Sequence, residues 1–442
     1  MKSRKIQSIQ INFFLILISS AYLGISISFG DIYLFHISLI LLILTTFIKL
    51  RNNSYKIRID ILNKKYIPTF LFFFIWYLIS LFWTIDILLG MKYIFYIFCG
   101  MMILFSVVKY ASTIKRFNNV FRVLGIIVLI EIILALLESF TSFRLPISSY
   151  SSHAVLFGKE PVNYSKLDNL LSLSKLTPPT GFNWNTNDFA IRMVIVLPFF
   201  LCSKRVGLKI FGILCITTLI VMTASRAAFI ALILIFTLYL VLIKKNIPTL
   251  ILIWFSSIGL FFSIAQLQES SNPRINELAN SAEALGLYFS GNIDVGGSLK
   301  WRRELIENGL HAFGETYGIG LGAGGSAANQ EFVGAVDGRF ISMHNFWIEI
   351  LVEGGLLILV CLIIWYSGII SKLFFISKNK KNSKIKYYCE SLFLAMLGFV
   401  PAAIAASSTI YFFPMWIMIG LSIAIIQIFY NQKDVLSEPP LQ

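Results

Sequence analysis

Residues 346–370 read FWIEILVEGGLLILVCLIIWYSGII, and Asp, Glu, Lys or Arg enter that run only at Glu349 and Glu353. A helix of this length spans the roughly 30 Å hydrocarbon core of a bilayer, where backbone amides and carbonyls must be paired within the segment itself. The run predicts a transmembrane helix that carries two carboxylates near its start.

Comparable runs recur across the chain, and the predicted spans are 11–29, 32–48, 68–85, 89–108, 121–140, 186–201, 207–223, 227–243, 247–265, 346–370, 387–406 and 411–429. Composition agrees: the 442 residues are 57% hydrophobic and 13% charged with mean hydropathy +0.79, whereas soluble domains carry about 25% charged residues. The expected fold is an all-α polytopic membrane protein of about 12 transmembrane helices, with a large extracytoplasmic loop between helices 9 and 10. Residues 1–265 then hold the first nine helices and an outer loop at 141–185. Residues 266–345 form the large loop, and 346–442 hold the last three helices and a cytoplasmic tail.

The net charge of +15 does not indicate nucleic acid, because the basic residues are scattered among short loops and not gathered on a soluble face. Cys99, Cys202, Cys215, Cys361 and Cys389 lie in or beside apolar runs without metal-ligand spacing, so neither zinc nor a disulfide is implied. The first apolar run follows Lys2, Arg4 and Lys5, lacks a small-residue cleavage site and leads directly into a second run, which reads as a retained helix. Basic residues near span ends stay on the cytoplasmic side. The dense stretches 49–65 and 372–386 fall on one side, and the turns around Gly30, Asp86 and Ser408 hold none. That asymmetry predicts cytoplasmic N- and C-termini in a bacterial inner membrane.

Charges inside spans are costly and usually pair or line a polar cavity. They are Lys92, Glu131, Glu138, Arg192, Glu349 and Glu353, with Arg226 at the mouth of its span. All but Glu131 fall in the outer half of this topology, which points to a cavity open to the outside; structural ion pairs between helices are the alternative.

Within the large loop, WRRELIENGLHAF at 301–313 predicts an amphipathic helix. Arg302 falls in the apolar arc, Arg303 at its edge, and His311 on the polar side. A guanidinium on a packed face needs an anionic or carbonyl partner. The glycine-rich GIGLGAGGS at 318–326 lacks the strand context or Gly-Lys-Ser/Thr of a nucleotide site, although its amides suit an anion. His344 and Asn345 open the span at 346, where the positive helix end favours a neutral imidazole.

Four pieces, PTGFNWNTNDFA, TASRAAF, RRELIENGL with GIGLGAGGS, and HNFWIEILVEGG, follow one another around the large loop between 179 and 355. In order and spacing they resemble the O-antigen ligase and polymerase superfamily of bacterial surface-polysaccharide assembly. The resemblance implies a GT-C-like fold and a glycosyltransferase that needs neither metal nor other cofactor and takes an undecaprenyl-diphosphate-linked oligosaccharide as donor. It implies that Arg226 and Arg302 hold the diphosphate and that His344 activates the acceptor hydroxyl as catalytic residues. Arg303, Asn345, Arg192, Asn185, Asn187, Glu349 and Glu353 are the expected substrate-binding residues. The implied partners are the lipid bilayer and a chain-length regulator and flippase of the same pathway. Shared motifs do not separate a polymerase, the favoured reading, from a ligase to lipid A core. A flippase for the same lipid-linked glycan is an alternative of another class, against which the long loop counts. A cytoplasmic nucleotide-sugar transferase is disfavoured because no Asp-x-Asp occurs.

Overall fold

The computed structural model describes residues 2–51, 63–161, 178–249, 251, 298–333, 342–379, 382–406 and 410–437. Thirteen α-helices lie within them. They are α1 (Lys2–Leu23), α2 (Leu34–Arg51), α3 (Asn63–Ile79), α4 (Ile87–Tyr110), α5 (Ile114–Phe140), α6 (Thr186–Leu201), α7 (Val206–Met222), α8 (Arg226–Leu238), α9 (Ser298–Glu315), α10 (Gly325–Val333), α11 (Phe346–Ser377), α12 (Ser383–Ala402) and α13 (Phe413–Ser437). The described strands, β1 (Ser28–Phe29) and β2 (Ile32–Tyr33), form one small hairpin between α1 and α2. The protein is an all-α polytopic membrane protein.

Seven segments among the described residues are long and apolar enough to cross a membrane: Ile9–Ile27, Ile87–Tyr110, Ile114–Phe140, Arg226–Lys244, Phe346–Ser377, Ser383–Ala405 and Phe413–Gln432. Leu34–Ile48, Pro68–Phe82 and Val206–Met222 are apolar but shorter, and α6 covers the expected span at 186–201. Most of the span expected at 247–265 lies outside the described residues, as do 266–297 and 334–341 of the large loop and 162–177 of the loop at 141–185.

Helix α5 shows how the bundle faces lipid. Ile126, Ile130, Ile133 and Leu137, spaced by four, three and four residues, are exposed, while Leu124, Val128, Glu131, Ile132, Ala135 and Glu138 are buried. An exposed apolar stripe opposite a packed face that contains the acids suits a helix between lipid and bundle interior. Helices α12 and α13 form the centre, α12 against α6, α8 and α11, and α13 against α4. Close approach there depends on Gly100 of α4, where an added Cβ would lie 2.2 Å from the Trp416 ring of α13.

Candidate active site

Helix α11 is broken. Gly355 lies inside it with φ 84° and ψ 173°, outside helical geometry. The carbonyls freed at the break are taken up by the glycine-rich loop that follows α9: Leu321 N–H donates to Val352 O at 2.8 Å and Gly322 N–H to Glu353 O at 3.0 Å. In return, Leu356 N–H donates to Gly318 O at 3.0 Å. Irregular backbone at membrane depth persists where protein satisfies it in this way. The loop alternates glycines with positive φ at 318, 320, 322 and 324. At Gly320 a Cβ would meet Glu353 O at 2.5 Å, so the sequence of alternate glycines follows from both backbone hand and space.

The far side of the loop is fastened to the turn between α3 and α4, where Trp83 Nε1 donates to Gly320 O at 2.9 Å and Thr84 Oγ1 to Ala323 O at 2.8 Å. A hydrogen-bond acceptor does sit on the loop amides, and it belongs to the chain. Glu353, fully buried, accepts from Ser326 Oγ at 2.7 Å and from the N–H groups of Gly324 and Ser326.

Helix α9 packs beside α11 with the face expected from its wheel. Leu305, Gly309 and Ala312 are buried, Arg302 is half-buried, and Arg303 and His311 are exposed. Arg303 pairs with Glu307 one turn on, and His311 Nδ1 lies 3.7 Å from Glu315 Oε1. A Cβ on Gly309 would meet Met343 Cε at 2.5 Å, which brings α9 directly against the turn that carries His344.

That turn is unusual. His344 has φ 48°, in the left-handed region that histidine enters more readily than most residues, and its N–H donates to Ser342 Oγ at 3.2 Å. Asn345 Oδ1 caps α11 by accepting from Trp347 N–H at 3.2 Å and Ile348 N–H at 3.3 Å. Burial and the charge of Arg302 pull the His344 imidazole down to about 4, so it is neutral at pH 7. Arg302 is itself lowered by burial and by the charge of Arg226, the first residue of α8. Arg226, Arg302 and His344, distant in sequence and borne on three elements, thus lie within electrostatic reach of one another.

The other expected residues divide. Glu349 is buried next to the break, and with Glu353 it lies within electrostatic reach of Tyr77 and Tyr93. Asn185 caps α6 by accepting from the N–H of Asn187 at 2.8 Å. Arg192 donates from one terminal nitrogen to Glu131 Oε1 at 2.9 Å and from the other to Asn183 Oδ1 at 2.8 Å. Its guanidinium lies over the Tyr22 ring, 4.5 Å from the centroid, and Tyr22 Oη donates to the same carboxylate at 3.1 Å. Arg192 and Glu131 are thus a buried ion pair joining α1, α5 and α6. Glu138 fastens the next segment by accepting from the N–H groups of Thr180 and Gly181 at 2.8 and 2.9 Å.

Arg192 and Asn185 also border a cavity of 530 Å³, walled by the aromatic rings of Tyr33, Tyr96, Trp184 and Tyr411. Sequence reasoning missed Tyr22, Asn183 and Ser326. Asn183 belongs to the Asn-rich run before α6, but nothing in one sequence aims its side chain at Arg192.

Two arginines and a neutral histidine, gathered at one end of a multi-pass membrane bundle, suit a substrate that carries phosphate and arrives in the bilayer. Residues 211–363, which contain all three, match the family model described as O-Antigen ligase, in agreement with the resemblance carried by the sequence motifs. It is similar to the teichuronic acid biosynthesis protein TuaE of Bacillus subtilis (strain 168), with 25% identity over 428 residues that cover 95% of this chain and 83% of that protein. The matched stretch also holds Glu349 and Glu353, whereas Asn185, Asn187 and Arg192 precede it.

Proposed function

We propose that this protein is a surface-polysaccharide polymerase. It transfers glycan from an undecaprenyl-diphosphate-linked donor to the acceptor sugar of another lipid-linked repeat unit at the outer face of the bacterial inner membrane. The convergence of Arg226, Arg302 and His344 carries this reading.

His344, neutral at pH 7, takes the proton of the acceptor hydroxyl. The acceptor oxygen bonds to the anomeric carbon of the donor, and the bond from that carbon to the diphosphate oxygen breaks with its electron pair left on the diphosphate. Arg226 and Arg302 hold the oxygens that gain charge; the planar guanidinium fork matches them in shape and sign. Two like charges held together are costly without an anion between them, which suits a site whose ligand is a diphosphate. The Lys and Arg distribution supports placing this end outside and both termini in the cytoplasm.

A relative named for the biosynthesis of teichuronic acid supports the polymer-building reading. The family description, O-Antigen ligase, favours a second one, transfer of a finished chain to lipid A core. Surface glycan from a strain lacking the gene separates them when resolved by length. Loss of long chains with short repeats remaining supports the polymerase, and long chains left on the carrier lipid support the ligase. Lipid-linked repeats retained on the cytoplasmic face would overturn both in favour of a flippase.

A further inference from the structure

A second cavity, of 300 Å³, lies between α5, α6, α12 and α13, and its wall is apolar between its two ends. Leu124, Val128, Ile195, Phe199, Leu392 and Met418 contribute to that wall. Tyr22 and Arg192 border one end, where the guanidinium of Arg192 is committed to Glu131 and Asn183. Arg122 and Tyr387 border the other, where Phe121 meets Phe199 with ring centroids 5.2 Å apart. This second end lies away from His344: α11 leads from the His344 turn across the bundle, and α12, which carries Tyr387 near its start, leads back.

The outward face of α5 shows what medium the groove meets. Lys115 and Arg122, seven residues apart, share that face with Ile126, Ile130 and Ile133 further along, and all five are exposed. The stripe thus changes from cationic to apolar within little more than one turn, between Arg122 and Ile126. On a helix in a bilayer such a change marks the level at which lipid phosphates give way to hydrocarbon. Lys204 and Arg205, both exposed, stand just ahead of α7, whose Leu208 belongs to the groove wall. On α12, Glu390 is 3.7 Å from Lys386, whereas no ion pair engages Arg122 among the described residues. Cations at the mouth of an apolar groove match a molecule with a phosphate head and a hydrocarbon tail.

We propose that this groove binds one anionic phospholipid of the leaflet at that end, the cytoplasmic one in the orientation proposed above. Arg122 holds the phosphate, Lys115 adds to the attraction, and one acyl chain lies between α5 and α6 as far as Arg192. Gly125 borders the groove at a point where an added Cβ meets nothing within 4 Å, so there is room for a chain beside it. A carrier lipid whose diphosphate rests on Arg226 and Arg302 would start its tail from the opposite end of the bundle and leave Arg122 without an anion. The phospholipid ties α5 to α6 at one end as the pair of Arg192 and Glu131 ties them at the other, whatever chemistry His344 performs.

The test titrates the full-length protein in detergent with phosphatidylglycerol or phosphatidylcholine of identical acyl chains and counts bound lipid by native mass spectrometry. The wild type should bind one phosphatidylglycerol about tenfold more tightly than phosphatidylcholine, equivalent to about 1.4 kcal/mol, and should melt higher in its presence. Arg122→Gln should lose the preference, and Arg122→Lys should keep it. Gly125→Leu, which fills the groove, should bind neither lipid tightly. Gly368→Leu, on an exposed part of α11 where a Cβ also meets nothing within 4 Å, should bind as the wild type does and so exclude added bulk as the cause. Equal binding of the two lipids by the wild type, a preference surviving in Arg122→Gln, or unchanged binding by Gly125→Leu overturns the proposal. So does displacement of phosphatidylglycerol by an equal concentration of undecaprenyl phosphate, which would give the groove to the carrier lipid, or by inorganic phosphate, which would mean a headgroup contact without a bound chain.

Discussion

Ser326 Oγ donates to Glu353 Oε1 at 2.7 Å, which joins the first residues of α10 to the last turn before the break in α11. The glycine-rich loop beside them thus binds an acidic side chain of its own chain. The loop is part of the scaffold that fixes the His344 turn against α9, and the predictions start from that join.

Glu353→Ala removes the acceptor from Ser326 Oγ and from two backbone amides in a buried site. Each orphaned donor costs about 1–3 kcal/mol. The variant should melt well below the wild type in detergent, and Ser326→Ala, which removes one donor alone, should show a smaller decrease. Equal melting temperatures for Glu353→Ala and the wild type would contradict the role assigned to this carboxylate.

Gly355→Ala would place a Cβ 2.3 Å from Ile319 O at a φ of +84°. Left-handed strain of about 1–3 kcal/mol adds to the clash, so the loop should come away from the helix. Limited proteolysis of purified protein should detect cleavage near 318–326 in this variant. Gly314→Ala, where a Cβ meets nothing within 4 Å, is the control and should resemble the wild type.

Arg302→Ala should abolish long-chain glycan, and Arg303→Ala should leave it near wild-type length. Arg303 is exposed and paired with Glu307, and such surface pairs contribute about 0–1 kcal/mol. Glycan length on gels at matched protein levels checks both. Loss of long chains in Arg303→Ala alone would shift the diphosphate contact by one residue.

With His344 at about 4, the base form is present throughout the neutral range, and the acid limb of the rate profile should fall near pH 4 and not near 6.5. Arg302 favours the neutral imidazole because a nearby positive charge disfavours protonation. Replacing it with Gln should therefore move the acid limb of the residual activity to higher pH. A normalised pH profile of kcat/KM for Arg302→Gln is the measurement, and an unmoved limb would show that the two residues do not communicate.

Arg192→Ala leaves Glu131 buried without its cation, a change worth about 3–5 kcal/mol. Membrane yield and melting temperature should both drop. The double variant Glu131→Gln/Arg192→Met should recover part of that loss, since neither residue then brings a buried charge.

Much of this architecture was legible in the chain because lipid leaves few choices: an apolar run of sufficient length has to be a helix. The wheel at 301–313 placed Arg302 in the apolar arc and Arg303 at its edge, and the structure has Arg302 half-buried and Arg303 exposed. The pairing of Arg192 with Glu131 was not legible. Both stand out as charges within spans, but contact between residues 61 apart in sequence depends on helix packing that one sequence does not encode in any pattern. The glycine loop was read as suited to an anion, and its internal ligand was unforeseen because Glu353 lies 27 positions beyond Ser326.

The tie between Arg192 and Glu131 bears on how the protein is made. Helix α6 carries an arginine in its middle and spans only 16 residues, so on its own it is a poor candidate for release into lipid. Its counter-charge lies in α5, which leaves the ribosome first. The order of synthesis thus makes α5 with its carboxylate before the guanidinium of α6, so that the later helix has a counter-charge on which it can dock. A change in α5 that removed Glu131 would accordingly act during biogenesis, as a failure of α6 to insert, before any folded bundle existed to be destabilised.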